Sequence, residues 1–276
     1  MRATDPDDPT GNQRRSGGEG DTDAQEAVPP SPPEDAGGAW PPPPRPPRWL
    51  PGQVPWGWRQ ATIGAVVAAA PIAILTLLTY VAARGVSTTS AKPTLSSATF
   101  SVVITIVFDT WFVFAAWLFS LRGRHLTRRS WGFRRPPKAM LWAVPAGLVT
   151  VYVVNLIYSA LVTTKEQTVV SDFPHSLGGL LLFVLLACIV APLFEEIFFR
   201  GFLFQGFASS FGPIWGVVIS ATLFSLSHLQ LDIFVPLFAL GVALAWVFYY
   251  TRSLWANAAL HSLFNAIAVL VWALTG

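Results

Sequence analysis

A chain of 276 residues with 53% hydrophobic residues, 12% charged residues and a mean hydropathy of +0.50 has too little charge for a water-solvated surface, since soluble domains carry about 25%. An ordinary soluble globular protein is thereby excluded, and most of the outer surface must face lipid. The net charge of +3 and pI of 9.3 do not mark a nucleic-acid binder, because the basic residues cluster in a loop between apolar segments, as membrane topology requires. The single cysteine, Cys188, excludes an intramolecular disulfide and a cysteine metal cluster.

Residues 1–57 are rich first in Asp, Gly, Ser and Gln and then in Pro, as in WPPPPRPPRWLPG, and hold nine of the fifteen acidic residues. Such a stretch buries too little apolar surface to offset chain entropy and is expected to be a disordered tail, with a partner-binding polyproline arm as the functional alternative. Its first thirty residues contain no apolar core of a signal peptide. Trp49, Trp56 and Trp58 precede the first apolar run, where an interfacial aromatic belt belongs.

Seven apolar stretches follow, at about 61–83, 97–121, 139–163, 177–199, 213–229, 233–250 and 254–274. Lipid offers backbone groups no partner, so each is expected to be helical. The predicted fold is an all-α, polytopic transmembrane bundle of about seven helices behind the Pro-rich tail. It divides into the tail (1–57), helices one and two (58–125) and a core (126–276). Arg122, Arg124, Arg128, Arg129, Arg134, Arg135 and Lys138 fill the second loop, which predicts a cytoplasmic loop and a cytoplasmic N-terminus in a multi-pass cell-membrane protein.

Three motifs in the last hundred residues carry chemistry. In APLFEEIFFRG (191–201), Glu195 and Glu196 lie in an apolar helix, where a charge costs roughly 2.5–3.5 kcal/mol on insertion scales. Glu196 and Arg200 are four apart and can pair, while Glu195 projects about 100° away, free to face a cavity as a general base. A structural ion pair is the blander account. FSLSH (224–228) puts Phe224 and His228 on one face, and HSLFN (261–265) does the same for His261 and Asn265. Taken singly, these histidines read equally well as satisfied interfacial groups, and the asparagine as interhelical glue. Together the residue types suit amide hydrolysis: a carboxylate deprotonates water, histidine transfers a proton and an amide stabilises an oxyanion.

EEIFFR, FSLSH and HSLFN, in that order, resemble the EExxxR, FxxxH and HxxxN motifs of the CPBP family, the CAAX proteases and bacteriocin-processing enzymes also called the Abi family. WGFRRPP (131–137) is similar to a segment that often precedes the family's core. The resemblance, to type II CAAX prenyl endopeptidases in particular, covers about 131–274. It implies an intramembrane endopeptidase acting on a membrane-associated or lipidated substrate. It further implies that Glu195 activates water, Glu196 is the second family glutamate, and His228 sits beside the same water. His261 and Asn265 would hold the oxyanion, Arg200 would fix the glutamate helix, and Phe224 would pack around the site. The expected partners are membrane lipid and a peptide or protein substrate; oligomeric state is not legible.

No cofactor is required in this mechanism. Zinc held by Glu195, His228 and His261 with one open position is the alternative, although HExxH is absent and Asn265 suits an oxyanion better than a metal. A non-catalytic scaffold or immunity protein of the same fold, and a small transporter, are the competing functions. Asp109, in ITIVFDTWFVF, fits no motif, and an interhelical hydrogen bond is its simplest role. One conflict stands out. If helix four ends near residue 199, Glu195 and His228 lie at opposite depths of the bilayer.

Overall fold

The computed structural model describes residues 54–83, 94–120, 127–162 and 173–275. These form helices, turns and no strand. In chain order the helices are α1 (Trp58–Ala83), α2 (Leu95–Ser120), α3 (Met140–Leu161), α4 (Leu177–Phe211), α5 (Pro213–Ser227), α6 (Phe234–Thr251) and α7 (Leu254–Thr275). Six are long and apolar enough to cross a membrane, and α5 is a shorter apolar helix of 15 residues. The outer faces carry exposed aliphatic side chains, such as Leu141, Val149 and Leu156 on α3. This multi-pass membrane protein is therefore apolar outside as well as inside.

Small residues let the inner helices approach closely. A Cβ on Gly241 of α6 would lie 2.9 Å from the Cα of Ala221 on α5. Gly241→Ala is thus expected to force α5 and α6 apart and lower stability by about 1–3 kcal/mol, read as the unfolding transition in detergent. An unchanged transition would mean the seam yields without strain.

Helix α4 differs from its expected form. It does not end near residue 199 but runs on to Phe211. Two π-helical segments, Leu185–Val190 and Ile197–Phe204, flank a six-residue α turn, Ala191–Glu196. Ala191 N–H donates to Leu186 O, five residues back. Pro192, which has no N–H to give, sits in the first turn of the middle segment, and the widened register absorbs the missing bond.

The polar side chains beyond residue 199 are buried against protein. Gln205 Nε2 donates to Ser130 O at 2.9 Å and to Gly201 O. Ser209 Oγ donates to Gly206 O at 3.0 Å. Gly212, at φ +88°, stops the helix in a conformation that favours glycine, and Pro213 starts α5 at a position needing no N–H.

This turn removes the depth conflict. Glu195 precedes Gly212 by 17 residues and His228 follows it by 16. At about 1.5 Å per residue, the antiparallel helices α4 and α5 carry both groups to one level. The loop at 127–138 fixes the third helix. Ser130 O holds Gln205, and Gly132 O accepts from Leu254 N–H at 2.9 Å. The site residues of α4 and α7 are thus counted from a common plane. Arg128, Arg129, Arg134, Arg135 and Lys138 of this loop are exposed.

Trp56 is not an interfacial residue. It is 2% exposed, its Nε1 donates to Phe202 O at 3.0 Å, and its ring packs near Trp131 and Phe202. The indole N–H finds a carbonyl inside the bundle, so the ring plugs α4 instead of anchoring to headgroups. Trp58 remains exposed and lies against Phe211. Trp49, the rest of the tail to residue 53, and Arg122 and Arg124 lie outside the described residues. Helices α1 and α2 share one core with α4, Phe112 stacking on Phe198 at 4.8 Å.

Candidate active site

Glu195, His228, His261 and Asn265 line one cavity of about 360 Å³, walled otherwise mainly by apolar side chains including Leu186, Leu237, Leu240 and Val269. They come from three helices or their ends: Glu195 from the α turn of α4, His228 from the C-cap of α5, and His261 and Asn265 from one face of α7. The four groups singled out in the sequence thus share one enclosure. Glu196 does not line it.

Glu195 is 17% exposed at the side chain, and its Oε2 lies 3.9 Å from His261 Nε2. That oxygen is buried without a hydrogen-bond partner, a costly condition unless a donor from solvent or substrate reaches it. Glu196 is the opposite case, with no exposure at all. Its Oε1 accepts from Arg200 Nη1 at 2.8 Å and from His261 Nδ1 at 3.0 Å, and its Oε2 accepts from Asn257 Nδ2 at 3.0 Å. Adjacent positions on one helix therefore hold one carboxylate consumed by the protein and one left open to the cavity.

The histidines are oriented by what their Nδ1 atoms touch. His261 Nδ1–H donates to the Glu196 carboxylate, which turns Nε2 toward Glu195 and the cavity. His228 Nδ1–H donates to Phe224 O at 2.9 Å, one turn back, leaving Nε2 as the free nitrogen. Asn265 Nδ2 donates to Ala187 O at 2.7 Å, in the first π segment of α4. An amide carries two N–H groups, so one remains for a ligand.

Arg200 and Phe224 support this arrangement from behind. The Arg200 guanidinium is fully buried, donates to Gly241 O at 3.1 Å through Nη2, and lies 4.6 Å from the centre of the Phe224 ring. Phe224 also meets His228 at 5.1 Å and His261 at 5.7 Å edge-on. A single aromatic ring thus fixes the packing of both imidazoles and the cation.

Asn257 was missed from sequence. It is fully buried and its Nδ2 bridges Glu196 and Leu244 O, the latter at 2.8 Å. The signal was present: Asn257, His261 and Asn265 recur every four residues along one face of an apolar helix. Among the described residues no group of three or more His, Cys, Asp or Glu side chains is placed to hold a metal ion, and Glu195, His228 and His261 do not form such a set.

The fold and site define a multi-pass helical membrane protein with four polar side chains converging on one otherwise apolar cavity inside its bundle. Residues 177–267 match the family model described as type II CAAX prenyl endopeptidase Rce1-like, consistent with the CPBP resemblance. That stretch spans α4 to most of α7 and includes all three motifs. No curated protein and no solved structure matches the chain.

Proposed function

We propose that the chain is an intramembrane endopeptidase that hydrolyses a peptide bond of a membrane-associated, prenylated CAAX-type substrate with a glutamate-activated water. The observation that carries this reading is the single cavity shared by Glu195, His228, His261 and Asn265, with Glu195 Oε2 unpartnered.

In this mechanism Glu195 accepts a proton as the water oxygen attacks the scissile carbonyl carbon. The oxyanion is held by Asn265 Nδ2–H beside the His261 ring, which Glu196 orients through Nδ1–H. Collapse breaks the C–N bond, and the proton held by Glu195 passes to the leaving amine, with His228 Nε2 beside the same water to assist the transfer. Proton and bond balance is complete: one water is consumed, one acid and one amine form. No step requires a metal, since Asn265 is an amide donor and the carboxylate supplies the base. The exposed basic loop at 128–138 supports a cytoplasmic placement for that end of the bundle and for the N-terminus.

The test is cleavage of an internally quenched, farnesylated peptide ending in a CAAX sequence by the full chain in lipid nanodiscs. The expected result is release of the terminal tripeptide, identified by mass, at a rate unchanged by a strong zinc chelator. Loss of activity on chelation with recovery on adding zinc overturns the metal-free mechanism. Binding of the peptide with no turnover in any condition overturns the peptidase reading.

A further inference from the structure

Asp109 sits in the middle of α2 and is 4% exposed. Its Oδ2 is buried without a hydrogen-bond partner, so the interhelical bond expected of it is not made by that oxygen. Helix α2 packs against the Ala191–Glu196 turn of α4. Glu195 Oε2 is unpartnered too. Thr105, one turn earlier on the same face of α2, lines the cavity. Two buried carboxyl oxygens on packed helices therefore both lack a hydrogen-bond partner. A single water has two hydrogens to give, one for an oxygen on each helix.

We propose that Asp109 is a positioning residue of the same centre: Asp109 and Glu195 hold one water by its two hydrogens and aim its oxygen lone pair at the substrate carbonyl. This deepens the peptidase reading and rests on it for its chemical meaning. Asp109 gains and loses no proton in the step; Glu195 alone takes the one that leaves the water. None of the three recognised motifs contains this residue, and the structure assigns it by packing.

The experiment uses the full chain in nanodiscs and two readouts. The first is infrared spectroscopy. The carboxyl bands of Glu195 are those lost in Glu195→Gln, and they are expected to shift in both Asp109→Leu and Asp109→Asn. Unmoved bands overturn the proposal whether or not the protein cleaves anything. The second is turnover of the quenched farnesylated peptide. In Asp109→Leu, kcat is expected to fall by up to about 10²-fold with KM unchanged, the scale of a reactant misplaced by about 1 Å. Asp109→Asn, which keeps an acceptor oxygen, is expected to lose less. The unfolding temperature of the Leu variant is expected to stay at or above that of the unaltered chain, because an orphaned polar group is replaced by an apolar one. A lower unfolding temperature with kcat unchanged makes Asp109 a structural residue and overturns the proposal. A band shift without cleavage by the unaltered chain sinks the peptidase reading and leaves the pairing standing; cleavage without a band shift does the reverse.

Discussion

Glu195→Gln is expected to lower kcat for peptide cleavage by about 10²–10⁴-fold, the range lost with a positioned general base. Gln preserves the volume of Glu and keeps a carbonyl oxygen near His261, so the cavity should hold its shape. What it cannot do is accept the proton of the attacking water. The side chain makes no hydrogen bond through Oε2. Its replacement therefore breaks no hydrogen bond of that oxygen, and the unfolding transition should move little. This separation of activity from stability is the useful feature of the experiment. Equal cleavage by the variant and the unaltered chain would remove Glu195 from the mechanism. Equal binding of the farnesylated peptide, with turnover lost only in the variant, would distinguish an enzyme from a scaffold that merely retains its ligand.

Arg200→Ala should act in the reverse manner, on the fold more than on the chemistry. The guanidinium and the Glu196 carboxylate are both fully buried and 2.8 Å apart. Removing one member leaves a charge without compensation inside the bundle, a loss of about 3–5 kcal/mol. The same truncation abandons Gly241 O, which accepts from Nη2, and opens space beside the Phe224 ring. Thermal unfolding in detergent should drop sharply and the yield of folded protein with it. The double variant Glu196→Gln, Arg200→Met should recover part of the loss, because neither side then retains a bare charge. An unfolding temperature for Arg200→Ala equal to that of the unaltered chain would show that the pair is not structural. A double variant as unstable as the single one would place the loss in packing, not charge.

The two glutamates illustrate how one motif serves both ends. Glu196, with three donors, links α4 to α7 through His261 and Asn257, and Arg200 extends the connection to α6 at Gly241. Glu195 is left free by the same geometry, because successive side chains on a helix diverge by about 100°. The polar network satisfies groups buried inside the bundle, and it orients the His261 ring as a consequence.

The sequence by itself determined the membrane character, the helical class and the residues that meet in the cavity. Hydropathy and charge depletion settle the first two, because in lipid the backbone has few alternatives to the helix. The i, i+4 spacings of Glu196–Arg200, Phe224–His228 and His261–Asn265 are local facts of helix geometry, and each pair does lie on one helix face. What only the tertiary structure decided is everything that depends on which neighbour covers a polar group. The apolar run stops near 199, yet α4 continues to Phe211 because protein partners bury Arg200, Gln205 and Ser209. Trp56, read as interfacial, is likewise buried by protein partners. Asn257 and Asp109 carry no spacing that names their partners. Their surroundings follow from α6, α7 and α2 packing against α4, a set of contacts between segments far apart in the chain that no local period encodes.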